Sequence, residues 1–265
     1  MGVIHDGGEP VTTQQLLVRY AKRGKMRFAS QLDVARAFER GVRRAGLPIA
    51  YSVGFTPHPK ISYAGGVPTG VASEAEYLSL TLTSPAEADD VQERLNAALP
   101  DGIDVITVIE DSGGKPASRL TVSEWQISLP GLPPDNVVPV VNDFLALAEA
   151  PVERMTSKGL RRMDARAAVV SLDVCALPGG PSLEPADAQP AAVSAGRPGP
   201  AEGRPQRPAA GGTALRMVVL HTVPAVRPDD VLNALRDVSD VFPTGQPLMT
   251  RLAQGSVGES GMVRL

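Results

Sequence analysis

The chain has 265 residues, 43% hydrophobic and 21% charged, with a formal net charge of −3. That size allows one large domain or two small ones, and the charge excludes a wholesale polyanion binder of the histone type while leaving room for a local basic face. No apolar run reaches the roughly 20 residues of a membrane span, and no charged-then-apolar stretch marks a signal peptide. The single cysteine, Cys175, excludes an internal disulfide, a thiolate zinc site and an iron–sulfur cluster within this chain. The expectation is a cytoplasmic protein with no cofactor of its own.

Residues 1–12 read as a flexible leader. Residues 14–21 then alternate, with Leu16, Val18 and Tyr20 on one face, which predicts a half-buried strand. Ser30 followed by Asp33 has capping-box spacing. It opens a helix whose expected apolar stripe is Leu32, Ala35, Phe38, Val42 and Ala45, closed by Gly46 and Pro48. An extended segment spans 51–63, and a strand over 76–83 carries Leu78, Leu80 and Leu82. A second helix follows Pro85, lined by Ala88, Val91, Leu95 and Leu99. The turn Pro100-Asp101-Gly102 leads into a strand over 103–110.

The pattern recurs more loosely: a strand over 122–129, a helix over 135–148 (Val138, Val141, Leu145, Ala148), extended segments at 152–157 and 166–177, a β-rich run over 215–222, a helix over 228–237 and a strand over 248–252. The fold class predicted is α+β: two tandem ferredoxin-like βαββαβ domains over 13–112 and 119–254. The second is interrupted at 178–212 by a Pro/Ala/Gly-rich insertion too poor in large apolar residues to offset the entropy of ordering, hence expected to be disordered. Residues 255–265 read as a loose tail.

The densest chemistry lies in residues 51–62. Two prolines stiffen a loop that carries Tyr51, Phe55, His58 and Lys60, and Thr56 and His58 each precede a proline. On the preceding helix, Arg36, Arg40 and Arg43 share a face by i, i+4, i+7 spacing, with Arg44 adjacent. Arg19, Lys22 and Arg27 lie in or just after the first strand. Arginine forks suit phosphates, and cations interleaved with aromatic rings are what single-stranded RNA recognition uses. A second cluster, Arg154, Lys158, Arg161, Arg162 and Arg166, falls on an expected hairpin or loop and suggests another phosphate or partner contact. His58 is the one well-placed acid–base candidate. His5 lies in the leader, and His221, at a strand end, reads as structural. No metal site, Walker loop or dinucleotide fingerprint is present.

Arg19-Tyr20-x-Lys22 with Gly24, Arg27-Phe28-x-Ser30-x-Leu32-Asp33, Arg43-Arg44-Ala45-Gly46-Leu47-Pro48, and Tyr51-Ser52-x-Gly54-Phe55-x-Pro57-His58-Pro59-Lys60-Ile61-Ser62 together resemble the radical-SAM-linked protein family of bacteria. The resemblance is dense over 15–110, looser over 150–172 and 214–253, and absent from the insertion. Ala29, Gln31 and Thr56 depart from the usual pattern. The resemblance implies a domain that stands alone or is appended to a radical S-adenosylmethionine enzyme. Since this chain lacks the three-cysteine cluster motif, any radical chemistry belongs to another polypeptide. The functional expectation is an accessory RNA-binding or substrate-presenting partner of such an enzyme, acting on tRNA or rRNA. The alternatives are a metal-independent RNA-processing enzyme using His58 with Lys60 or Arg27, and a protein–protein adaptor.

Overall fold

The computed structural model describes residues 14–111, 115–156, 159–177, 212–245, 247–257 and 263–264. The expected leader, all but Gly212 of the expected disordered insertion, His5 and Lys158 lie outside the described residues.

In the first half, strand β1 (Gln14–Lys22), helix α1 (Gln31–Arg44), strands β2 (Ile61–Tyr63) and β3 (Ala72–Leu82), helix α2 (Ala88–Ala98) and strand β4 (Ile103–Glu110) follow one another. Their sheet order is β4-β1-β3, with β2 on the far side of β3, and every pair is antiparallel. The α1 crossover therefore joins two strands with β3 between them, and α2 joins two strands with β1 between them. The capping box at the start of α1 forms as its spacing predicts: the Ser30 hydroxyl accepts from the Asp33 amide at 3.2 Å, and the Asp33 carboxylate accepts from the Ser30 amide at 3.1 Å.

The buried stripe of α1 differs from expectation. Val34, Ala37, Phe38, Gly41 and Val42 are buried, while Leu32, in the first turn, is exposed. Fixing the cap at Ser30 rotates the core face to these positions, and Gly41 leaves room for the Leu99 side chain, which an added Cβ would meet at 2.9 Å and displace. Leu16, Val18 and Tyr20 pack with Phe38, Leu78, Leu80 and Leu95 in one core, where the Tyr20 and Phe38 rings meet edge-on at 4.8 Å.

The second half repeats the order. Strand β5 (Val122–Pro130) and helix α3 (Pro134–Ala146) precede an added hairpin, β6 (Pro151–Thr156) with β7 (Gly159–Asp164), and a one-turn helix α4 (Ala165–Ala168). Strands β8 (Val169–Leu177) and β9 (Gly212–Leu220), helix α5 (Pro228–Val238), and strands β10 (Leu248–Val257) and β11 (Val263–Arg264) complete it. The order β10-β5-β9-β8 is again antiparallel throughout. A separate core gathers Trp125, Ile127, Phe144, Leu215, Met217 and Leu235. On α3 the buried residues are Val137, Val140, Val141 and Phe144, and Val138, expected inside, faces out. Strand β10 runs on through Val257 and pairs with β11, so ladder pairing extends into the stretch read as a tail.

The two halves share one nine-stranded sheet through a short parallel pairing of β10 with β3, Thr250 opposite Ala72 and Arg251 opposite Ser73. This joint buries several polar groups. Arg251 (5% exposed) pairs with Glu76 (2%), donates to the Gly65 carbonyl at 3.2 Å and lies 5.5 Å from the centre of the Trp125 ring. Gln254 donates to the Ala75 carbonyl at 2.5 Å. Removing one member of a buried ion pair strands a charge in low dielectric, at a cost of about 3–5 kcal/mol, whereas an apolar double replacement is near neutral. Glu76→Ala is therefore expected to lower unfolding free energy by that amount in chemical denaturation, and Glu76→Leu with Arg251→Met to recover most of it.

Candidate functional site: a basic surface and a cleft at the joint

The loop after α1 is a small hairpin. Tyr51 bridges Pro59, the Ser52 amide donates to the His58 carbonyl at 2.8 Å, and the His58 amide donates to the Ser52 hydroxyl at 3.0 Å. Lys60 and Ala50 continue the pairing toward β3 through Thr81. Gly54, at φ +144°, turns the tip in a conformation that favours glycine. Tyr51 is half-buried against the first core, Pro59 is buried, and Val53, Phe55 and His58 project into solvent, Phe55 completely. A fully exposed phenylalanine on a hydrogen-bonded hairpin has no packing role in this fold.

The expected cations divide into two groups. Arg36, Arg40 and Arg43 are exposed on α1; among the described residues Arg40 and Arg43 make no hydrogen bond or ion pair, and Arg36 faces the nearby Asp33 carboxylate. Lys60 is half-buried. The others serve the fold. Lys22, expected at the surface, is only 3% exposed, and its ammonium donates to the Ala29 carbonyl at 2.8 Å; burial lowers its proton affinity and Glu76 opposes that shift. Arg19 lies on the face of β1 away from α1 and donates to the carbonyls of Glu74 (3.0 Å) and Leu252 (3.5 Å), so it belongs to the joint. Arg27 donates to the Gly70 carbonyl at 2.7 Å. Arg44 is exposed but caps the end of α2 through Ala98 at 3.0 Å. Arg19 thus stands on the other face of the sheet from the α1 arginines. In the second cluster, Arg161 and Arg162 are exposed on β7, Arg154 is tied to Asp230 and the Ala225 carbonyl, and Arg166 donates to the carbonyls of Leu145 and Val169.

A second site, not foreseen in the sequence, is a cleft of about 360 Å³ where the halves meet. Its floor is one face of the sheet. Trp125 is the register partner of Arg251, and Ser123 of Gln254; a bulge between Arg251 and Ala253 brings residues three apart on β10 to the same face. One wall is the 65–71 segment, pinned by reciprocal bonds between Arg27 and Gly70. Gly66 lets the Gln31 side chain lie against this wall, since a Cβ there would fall 2.0 Å from Gln31 Oε1 and displace that amide. The opposite wall is 225–229 at the start of α5, held by the Arg154–Asp230 pair and by the Arg227 amide, which donates to Asp230 at 2.7 Å.

His221 enters the cleft between these walls. Its Nδ1 lies 2.7 Å from the Leu120 carbonyl and its Nε2 2.5 Å from the Ser123 hydroxyl. A carbonyl can only accept, so Nδ1 carries the proton and the neutral ring accepts the Ser123 hydroxyl proton at Nε2. Ser123 is 2% exposed, beneath the imidazole, so the pair presents the imidazole to the cleft and leaves the serine unreachable as a nucleophile. Burial, reinforced by the Arg251 charge and opposed by the Leu120 carbonyl, lowers the His221 pKa. Burial, with the neighbouring Asp230 charge, raises that of Asp229 on the facing wall. The one tryptophan, the Asp229-Asp230 pair after Pro228, and an arginine inside an apolar strand were the signals in the sequence. Nothing local connects them, because they are spread from Trp125 to Arg251.

Among the described residues no group of three His, Cys, Asp or Glu side chains could hold a metal ion, and no helix is long and apolar enough to cross a membrane. What the fold and sites define is a mixed α+β protein of two similarly ordered halves, with an exposed basic and aromatic surface and a cleft at the joint. Residues 15–198 match the family described as an uncharacterized protein conserved in bacteria (DUF2344), and the chain belongs to that family. No curated protein matches it.

The histidine geometry has a pH consequence. A histidine with depressed folded-state proton affinity binds fewer protons folded than unfolded below about pH 6.5, so its contribution to stability is full at neutral pH and is lost as pH falls through that value toward the folded pKa. Thermal unfolding between pH 8 and 5 should show a stability loss on acidification that is smaller in His221→Gln; an unchanged slope in that variant would place the titration elsewhere.

Proposed function

We propose that the protein is an RNA-binding, substrate-presenting partner of a radical S-adenosylmethionine enzyme, acting in the cytoplasm in modification or processing of tRNA or rRNA. The observation that carries this reading is the solvent-facing Phe55 ring on its pinned hairpin, combined with the exposed Arg36, Arg40 and Arg43 row on the helix that leads into it. A ring held open to solvent offers a base a stacking face, and unengaged guanidinium groups offer phosphates a fork. The tandem ferredoxin-like assignment is supported by the strand orders β4-β1-β3-β2 and β10-β5-β9-β8, and that plan is common among RNA binders, an argument from analogy. The resemblance of the 15–62 motifs to radical-SAM-linked proteins supplies the partner. The β6–β7 hairpin gives that partner a contact of its own, since Met155 and Leu160 sit opposite each other, exposed, with Arg161 and Arg162 beside Leu160.

Electrophoretic mobility shifts with bulk tRNA and rRNA fragments at several salt concentrations test the RNA half. The triple variant Arg36→Gln/Arg40→Gln/Arg43→Gln should weaken binding and flatten the log–log salt dependence by about 2 units, three single-strand phosphate contacts at roughly 0.7 each. Phe55→Ala should cost about 1–3 kcal/mol with little change in that slope. Absence of salt-sensitive binding by the wild type would sink the reading. Cleavage of labelled RNA that disappears in His58→Ala would replace it with the enzymatic alternative.

A further inference from the structure

We propose that the cleft at the joint is a nucleobase-binding pocket, taking the planar, uncharged, hydrogen-bonding ring of a nucleoside or of an unstacked RNA base. Volume and shape come first. About 360 Å³ lies within the ~300–1,000 Å³ range of small-molecule sites. The side walls are apolar and face each other, with Val67, Pro68 and Val71 on one side and Val226 and Pro228 on the other. Such a slot suits a flat body that buries both faces.

Charge narrows the ligand class. Around the cleft, Arg251 is neutralised by Glu76 and Arg154 by Asp230, leaving Arg227 and Asp229 of opposite sign on the same wall. Of the charged side chains that line the cleft, Arg251 is paired with Glu76 and Arg227 stands near Asp229, so the lining carries no net surplus charge for a free phosphate or an amine. The polar groups that remain to read ring edges are the Gln254 amide and the Asp229 carboxyl, while His221, both of its nitrogens engaged, offers only its imidazole face. Each is rigidly placed. His221 is held by Leu120 and Ser123, Gln254 by the Ala75 carbonyl, and Asp229 by its position in the first turn of α5. Apolar faces with a few fixed donors and acceptors at the edge are how proteins bind unstacked bases.

The pocket is independent of the exposed loop and α1 surface. It rests on the RNA reading only for the source of the base, and free nucleosides test it without that reading.

Trp125 is the only tryptophan in the chain and forms part of the pocket floor, so its fluorescence reports occupancy directly. Full-length protein titrated with adenosine, guanosine, cytidine and uridine should show saturable quenching with at least one of them, and none with inorganic phosphate. Gly65 lines the pocket, and an added Cβ there meets no atom within 4 Å, so Gly65→Leu should fill the slot without disturbing the fold. That variant should weaken nucleoside quenching tenfold or more with an unchanged circular dichroism spectrum. Quenching by none of the four nucleosides, quenching that phosphate reproduces, or quenching that survives Gly65→Leu undiminished would each overturn the proposal. A single-stranded RNA arm separates the sources: quenching by nucleosides without quenching by RNA upholds the pocket and counts against the RNA-binding function.

Discussion

The contact between Arg251 on β10 and Glu76 on β3 is the constraint on which this architecture turns. Two half-sheets, each with its own helices, are joined by a short parallel pairing, by Val67 packed into the core of the second half and by Leu120 packed with Leu17, Ala75 and Tyr77 of the first. Beside these apolar contacts the seam holds Lys22, Ser73, Glu76, Arg251 and Gln254, all buried. Buried charges are tolerated only where geometry and hydrogen bonding offset desolvation. Here the guanidinium is shared between a carboxylate, a backbone carbonyl and an indole face, and the amide of Gln254 reaches across to the backbone of β3. An apolar seam could slide. This one fixes the register of the halves, and with it the distance between the walls of the cleft.

That same economy explains where the cations went. Arg19, Lys22, Arg27, Arg44, Arg154 and Arg166 all donate to backbone carbonyls, and Arg154 to a buried carboxylate as well. Strand ends, helix ends and linkers leave carbonyl groups that the regular ladders do not use, and long cationic side chains satisfy them. Arg27 and Arg154 thereby hold the two walls of the cleft. What is left for an external polyanion is smaller and simpler: the outer row of α1, the tip of the 51–60 hairpin, and Arg161 with Arg162 on the added hairpin.

The two surfaces differ in kind. The α1 arginines and the Phe55 loop are exposed to solvent, suited to grasping a backbone without reading sequence. The cleft is concave, half open to solvent and edged by fixed hydrogen-bonding groups, suited to discriminating one ring from another. Both are placed by the split crossovers. The α1 connection carries the chain from β1 past the aromatic hairpin to β2, and the second half returns β10 to the edge of β3, where the cleft forms.

Local pattern by itself determined most of the secondary structure. Alternation of Leu16, Val18 and Tyr20, the Ser30 and Asp33 cap, and the Pro100-Asp101-Gly102 turn each depend on neighbours within a few residues, and each formed as read. In the proline-flanked loop, residues 53 to 58 are exposed, while Tyr51 and Lys60 are half-buried and Pro59 is buried. The core faces of α1 and α3 were legible only approximately, because both helices carry more apolar residues than one face can bury and the choice among them is made by the sheet. The joint and the cleft were decided by tertiary structure alone. Lys22 looks like a surface cation until Ala29 and Glu76 are folded around it, and Ser123 meets His221, and Glu76 meets Arg251, only when strands 98 and 175 residues apart come together. Which side chains share a low-dielectric space is a property of that pairing, and no window along the chain contains it.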